Sequence, residues 1–215
     1  MRIGILGTGM VGQAIGSKLI QLGHEVKMGS RTADNEKATQ WAKANGVRAS
    51  QGTFADAAAF GEILFNCTAG MASLDALRMA GPANLKDKIL IDIANPLDFS
   101  KGMPPTLAIC NTDSLGEQIQ RAFPDVKVVK TLNTMNCNIM VNPSLVPGEH
   151  DVFICGNDAE AKTIATQILK DWFGWKSVID LGDITNARGT EMLLPIWIRL
   201  WGVFGHANFN FKIAK

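Results

Sequence analysis

Three glycines near the start of the chain have a spacing that suits the binding of a dinucleotide. Gly7, Gly9 and Gly12 form a G-x-G-x-x-G pattern between the apolar run RIGIL and a stretch with helical periodicity. In this context the first glycine allows a tight turn, the second lets the backbone approach a pyrophosphate, and the third allows close packing of helix on strand. The N-terminus of the helix offers unpaired N–H groups and a partial positive charge to the phosphates.

The end of the second predicted strand indicates which dinucleotide the site prefers. A site for NAD usually has an acidic residue here that accepts from the ribose 2′-OH, whereas this chain has Ser30 and Arg31. A hydroxyl can donate to a 2′-phosphate, and a guanidinium can form a charge-assisted pair with it and stack on the adenine. Thr32 adds a second hydroxyl and Lys37 a second cation. The sequence therefore predicts NADP(H) in preference to NAD(H).

Small and amide residues follow three predicted strands, in the segments CTAG, IANPL and LNTMN. The carboxyl ends of parallel strands meet at the edge where doubly wound folds bind ligands, so these residues could hold a nicotinamide against an acceptor. Ordinary capping of loops by Thr and Asn is the alternative interpretation. The candidates for this half of the site are Thr68, Ala69, Ala94, Asn95, Pro96, Asn133 and Thr134.

The sequence offers no clear general acid and no cluster of metal ligands. It contains no tyrosine, which excludes the Tyr/Lys pair of short-chain dehydrogenases, and only three histidines. We expect His24 to be structural and His150 to be solvated, and the role of His206 is open. Hydride transfer between two stacked rings needs no acid, because the protein has only to hold the rings together and exclude water. We therefore assign no catalytic side chain.

The elements that must position these residues alternate between strand and helix along most of the chain. This order favours an α/β, Rossmann-like, doubly wound fold with a mostly parallel sheet and a small helical C-terminal part. We expect an NADP-binding Rossmann domain at residues 1–155 and a small C-terminal subdomain at 156–215, which forms the dimer and a wall of the acceptor pocket. Strands are predicted at 2–7, 24–30, 47–50, 62–68, 88–94, 126–133, 151–156 and 177–182. One long apolar helix is expected from Thr185 to Phe204.

Length, charge and cysteine content narrow the class of protein. A chain of 215 residues suits one large domain with an appendage, and a net charge of +1 gives no global field that would recruit nucleic acid or a membrane. Four cysteines without a C-x-x-C pair, and an N-terminus without a signal peptide, predict a cytoplasmic protein. The apolar run at 192–205 is shorter than the roughly 18 residues that a spanning helix needs, so no membrane insertion is expected.

Four segments resemble the NADP oxidoreductases that use the deazaflavin coenzyme F420: MRIGILGTGMVGQAIGSKL, GHEVKMGSR, VFICGNDAEAK and NARGTEMLLPI. The resemblance covers nearly the whole chain. It implies a homodimer and a reversible hydride transfer between NADPH and the deazaflavin, which lies over the nicotinamide. It assigns Ser30 and Arg31 to the 2′-phosphate site. It also assigns the pyrophosphate loop to Thr8, Gly9, Met10 and Val11.

The acceptor side departs from the family's pattern. The archaeal members have a His-Thr pair where this chain has Asn133-Thr134, and this variant is similar to the flavin-using reductase domain of the STEAP metalloreductases. The second cofactor is therefore predicted to be F420 or a flavin. The alternatives are an NADPH-dependent reductase of a small carbonyl or imine compound, which would need a proton donor, and a non-catalytic NADP(H)-binding sensor.

Overall fold

The computed structural model describes residues 1–215, and one eight-stranded sheet forms its centre. The ten strands are β1 (Arg2–Leu6), β2 (Glu25–Ser30), β3 (Ala49–Thr53), β4 (Ile63–Asn66), β5 (Ile89–Asp92), β6 (Leu97–Asp98), β7 (Thr106–Leu107), β8 (Lys127–Thr131), β9 (Asp151–Gly156) and β10 (Ser177–Asp180). The order in the large sheet is β10-β9-β8-β5-β4-β1-β2-β3, while β6 and β7 form a separate antiparallel ribbon.

Six of the seven neighbouring pairs in the large sheet are parallel, and only β8 and β9 pair antiparallel. This arrangement confirms the predicted Rossmann-like, mostly parallel sheet. Because β1, β2, β4, β5 and β8 run in the same direction, the loops that follow them meet at one edge of the sheet. The glycine loop and the CTAG, IANPL and LNTMN segments all lie there.

Helices cover both faces of the sheet. They are α1 (Met10–Gln21), α2 (Glu36–Asn45), α3 (Phe54–Phe60), α4 (Ser73–Ala80), α5 (Pro82–Leu85), α6 (Leu115–Ala122), α7 (Cys137–Val141), α8 (Ala159–Gln167), α9 (Ala187–Met192) and α10 (Leu194–Phe204). Alternate strand residues enter opposite cores: Ile5 joins Ile15 and Leu19 of α1, whereas Leu64 joins Leu77 of α4 and Ile119 of α6.

The prediction of one long helix from Thr185 to Phe204 was wrong. The segment consists of a 3-10 turn (Ile184–Asn186), α9 and α10. The new helix starts at Leu194 with Pro195 in its first turn, where a residue without an N–H is tolerated because that group would lack a helical partner. The third strand also begins two residues later than predicted, at Ala49.

The C-terminal residues return to the start of β9. The N–H of Asp151 donates to the carbonyl of Phe211 at 2.9 Å, and the Nδ2 of Asn210 donates to the carbonyl of Asp151 at 2.9 Å. His150, which we expected to be solvated, is half-buried and lies 2.9 Å from both the carbonyl of Pro143 and the Nδ2 of Asn210. Its role is therefore to hold the chain end.

The structure includes β10 as an edge strand of the large sheet, so the sheet continues past residue 155. A division of the chain at that residue accordingly remains a proposal. None of the helices has both the length and the apolar character that a bilayer crossing requires.

Candidate active site

A cleft of about 330 Å³ lies at the edge where β1, β2 and β4 end. The residues that we predicted for a dinucleotide site and that line this cleft are Gly7, Thr8, Gly9, Ser30, Arg31, Thr68 and Ala69. The residues predicted for the pyrophosphate and the 2′-phosphate that lie outside its lining are Met10, Val11, Gly12, Thr32 and Lys37. The lining residues that the sequence analysis missed include Asn35, Phe54, Cys67, Asp75 and Met79.

The glycine loop has the geometry that a pyrophosphate site needs. Gly7 has φ +118°, and a Cβ there would lie 2.6 Å from the carbonyl oxygen of Cys67. A Cβ on Gly12 would lie 2.4 Å from the carbonyl oxygen of Gly7, whereas a Cβ on Gly9 would meet no atom within 4 Å. Space is therefore open beside Gly9, the N-cap of α1. No side chain caps this helix and its first turn has no acidic residue, so its first N–H groups remain available to an anion.

The end of β2 is followed by an unpaired cation, Arg31, in a turn that the side chain of Ser30 stabilises. Arg31 is exposed and forms no ion pair. Ser30 Oγ donates to the carbonyl of Thr32 at 2.5 Å and accepts from its N–H at 3.3 Å. The only carboxylate that lines the cleft belongs to Asp75, and Arg78 holds it at 2.6 Å. The residues present therefore fit a 2′-phosphate.

A second cavity of about 240 Å³ continues from the first and shares Cys67, Thr68 and Ala69 with it. The remaining lining residues are Val11, Gly70, Ile93, Ala94, Asn95, Leu97 and Phe99. This lining contains no histidine, lysine, arginine, aspartate or glutamate. Burial raises the pKa of the Cys67 thiol far above its usual value. The second cavity thus lacks a side chain that could act as a general acid near neutral pH.

The loops after β4, β5 and β8 support one another below this cavity. A Cβ on Gly70 would lie 2.0 Å from the carbonyl oxygen of Asn95, so only glycine allows this approach. Asn95 Nδ2 donates to the carbonyl of Asn133, and Asn133 Nδ2 donates to Asn95 Oδ1, both at 2.9 Å. Pro96, Asn133 and Thr134 are buried and lie outside the lining, so any effect they have on a ligand passes through the loops.

Leu132, directly before Asn133, has φ +62° although it is buried and is not a glycine. This left-handed conformation costs about 1–2 kcal/mol for an L-residue. Backbone strain of this kind persists only where surrounding contacts hold it, and it is common at ligand sites. The strained turn directs the chain from the end of β8 so that Asn133 reaches Asn95.

Three buried charged residues below the cleft were missed by the sequence analysis. Lys130 Nζ lies 2.8 Å from Asp92 Oδ2 and 2.8 Å from Glu191 Oε1, and all three side chains are at most 1% exposed. Burial alone would lower the pKa of Lys130, but the two carboxylates outweigh it and raise that pKa. The signal was present, because Asp92 and Lys130 interrupt the apolar runs ILIDI and VKVVK.

Comparisons with known proteins agree with this geometry. Residues 2–96 match the sequence model of the family described as NADP oxidoreductase coenzyme F420-dependent. The F420-dependent NADP reductase of Methanocaldococcus jannaschii is 29% identical over 93% of this chain and 92% of its own. Rat metalloreductase STEAP3 is 29% identical over 91% of this chain but only 38% of its own.

A crystal structure extends the likeness to the complete chain. A protein from Arthrobacter sp. FB24, described as a candidate F420-dependent NADP reductase, is 55% identical over 100% of both chains and superposes with a TM-score of 0.96. Identity of this extent over the full length indicates common membership of one family. The chain is therefore an NADP-dependent oxidoreductase and belongs to the family of coenzyme F420-dependent NADP oxidoreductases.

Proposed function

We propose that this protein transfers a hydride directly between NADPH and coenzyme F420. The observation that carries the proposal is the second cavity, which adjoins the dinucleotide cleft and has no side chain that could donate a proton. When bound, NADPH supplies a hydride and the deazaflavin ring accepts it. A reduction of a carbonyl or imine would require a proton donor beside the substrate, and the cavity provides none.

The chain's own residues bind and orient the two molecules. The N–H groups at the start of α1 bind the pyrophosphate, and the guanidinium of Arg31 pairs with the 2′-phosphate. Apolar side chains of Val11, Ile93 and Leu97 line the second cavity and exclude water from the reacting rings. The main contribution to the rate is then the positioning of two rings in contact.

We favour F420 over FMN and FAD as the acceptor. Relatives whose full length matches this chain are named F420-dependent NADP reductases, whereas STEAP3 matches over a minor part of its own length. Asn133 stands where the archaeal family members have a histidine, but it lies outside the lining of the cavity. The exchange therefore changes a supporting contact and leaves the apolar surface for the ring in place.

The test is anaerobic oxidation of NADPH with F420, FMN, FAD and riboflavin offered in parallel, and with NADH as the matched control donor. We expect turnover with NADPH and F420, and much slower turnover with NADH. Turnover with FMN or FAD but not with F420 would show that the protein is a flavin reductase and contradict the proposal. Tight binding of NADPH without turnover of any acceptor would leave the sensor interpretation and refute this proposal.

We further propose that the protein is a cytoplasmic homodimer. The exposed side chains of α10 include Ile196, Trp201, Val203 and Phe204, and an apolar patch of this kind is typical of an interface. Within one chain these residues do not line either half of the cleft, so a wall formed by the tail would have to come from the second copy. Light scattering at micromolar concentration tests the dimer, and a monomeric mass would contradict it.

A further inference from the structure

We propose that Lys130 is a positioning residue that fixes the wall formed by Ala94 and Asn95 in the acceptor half of the cleft. The inference rests on the proposed function, because it assigns the nicotinamide end of NADPH to that half. Lys130 is fully buried and lies outside the lining of both cavities. It therefore cannot touch a ligand, and any effect on one must pass through the residues that it holds.

The ammonium of Lys130 has an acceptor for each of its three protons. Two are carboxylate oxygens, from Asp92 and Glu191, each at 2.8 Å. The third is the carbonyl oxygen of Ala94, with which it forms a short contact. The N–H of Ala94 in turn donates to Asp92 Oδ1 at 3.3 Å. Both neighbouring peptide groups of this cavity residue are thus held by the buried ion pair.

The same cluster extends to the loop after β4. Asn66 Nδ2 donates to Asp92 Oδ1 at 2.7 Å, and Thr68 Oγ1 donates to Asn66 Oδ1 at 2.7 Å. Thr68 lines both halves of the cleft. One group of buried charges therefore sets the position of two neighbouring loops that both line the acceptor half.

Glu191 connects this cluster to the C-terminal helices. Its carboxylate accepts from the N–H groups of Leu115 at 2.8 Å and Gly116 at 3.0 Å, at the start of α6. Two carboxylates face one ammonium here, and the N-terminus of a helix stabilises the excess negative charge. Replacement of a buried ion pair by apolar residues is often neutral for stability, so the pair is weak evidence for a purely stabilising role. A role in fixing the loops explains why this cluster contacts the backbone of Ala94 and the side chain of Asn66.

The test compares the binding of NADPH with that of 2′,5′-ADP, which contains only the adenosine end of the cofactor. In the Lys130→Met variant we expect the affinity for NADPH to fall about tenfold, because the wall formed by Ala94 and Asn95 no longer keeps its position beside the nicotinamide end. The affinity for 2′,5′-ADP should stay within twofold, because its site lies beside Gly9 and Arg31. Equal weakening of both ligands, or no weakening of either, would overturn the proposal.

A second variant covers the case in which Lys130→Met does not fold. Glu191→Gln removes one charge, keeps the shape of the side chain, and leaves Lys130 paired with Asp92. This variant should also weaken the binding of NADPH more than the binding of 2′,5′-ADP. An unchanged ratio of the two affinities would overturn the proposal. Lys162→Met is the matched control, since Lys162 binds Asp180 and the carbonyl of Gly182 away from the cleft.

Both binding measurements need no acceptor, so they remain decisive if the proposed reaction itself is wrong. If the wild-type protein fails to reduce F420 or any flavin, the proposed function fails while the affinity ratio still tests Lys130. Where the reaction does occur, misplacement of the nicotinamide by about 1 Å can lower turnover by about 100-fold. We therefore expect the Lys130→Met variant to lose kcat at saturating NADPH, and the Lys162→Met variant to keep it.

Discussion

Asn95 and Asn133 hold each other through two hydrogen bonds of 2.9 Å that join the loops after β5 and β8. Each side-chain amide donates once, to the carbonyl of Asn133 in one direction and to the Oδ1 of Asn95 in the other. Only Asn95 of the two lines the acceptor half of the cleft. Asn133 therefore acts on the cavity through its partner.

Loss of this pair should affect turnover more than cofactor binding. Asn133→Ala removes the donor to Asn95 Oδ1. We expect kcat to fall by about tenfold, because a shift of Asn95 would misplace the reacting rings. The Kd of NADPH should change by less than twofold, because Lys130 and Asp92 still hold Ala94 in this variant. Asn45→Ala is the control, since Asn45 donates only to the carbonyl of Trp41. A change confined to the Kd would contradict the assignment.

The preference for NADPH should depend on one guanidinium. Arg31→Ala should weaken NADPH binding by about 1–3 kcal/mol, the range for a hydrogen bond to a charged group. NADH has no 2′-phosphate, so its binding should be nearly unchanged. Arg2→Ala provides the control, because Arg2 pairs with Glu62 at the opposite edge of the sheet. Calorimetry with both cofactors measures the effect, and equal losses would show that Arg31 supports the fold.

Phe99 offers a test of the acceptor half that leaves the core intact. Its side chain lines the second cavity yet is 56% exposed, so Phe99→Ala should leave the melting temperature almost unchanged. We expect the KM of F420 to rise several-fold through the loss of apolar contact, while the Kd of NADPH stays constant. Val47→Ala, at another exposed apolar residue, should change neither constant. A rise in the Kd of NADPH alone would place Phe99 beside the dinucleotide.

The four free cysteines should differ in reactivity with iodoacetamide. Thiolate is the reactive form, and burial raises the pKa of Cys155 to about 12 and raises that of Cys67 further. At pH 8 we expect exposed Cys110 to react first, half-buried Cys137 slowly, and the two buried thiols only after unfolding. Mass spectrometry of the native protein after a short treatment measures the order. Early modification of Cys67 would contradict its burial in the wall of the cleft.

Local patterns in the sequence predicted the sheet well, and several of the residues proposed for the dinucleotide line one cleft at its edge. The glycine spacing and the Ser30-Arg31 pair act within a few residues of a strand end. Such features depend on neighbouring residues, so their geometry follows from the sequence.

Features that join distant residues could not be predicted in the same way. Lys130, Asp92 and Glu191 lie on three elements, and only the pairing of β5 with β8 and the packing of α9 bring their charges together. The left-handed backbone of Leu132 breaks the local preference of a leucine, and contacts across the sheet must impose it. The sequence analysis missed the start of a new helix at Leu194, because it gave the continuous apolar run more weight than Pro195.

The most direct test of hydride transfer in this cleft is a single turnover of NADPH that carries deuterium at both positions of nicotinamide C4, with F420 as acceptor in anaerobic H₂O. Because the lining of the acceptor half holds no side chain that could donate a proton, we expect the deuterium to appear in the reduced deazaflavin. In a parallel reaction of unlabelled NADPH in D₂O, the carbon of the deazaflavin that accepts the hydride should carry no deuterium. Recovery of the label in solvent, or no reduction of F420, would contradict direct hydride transfer in this cleft.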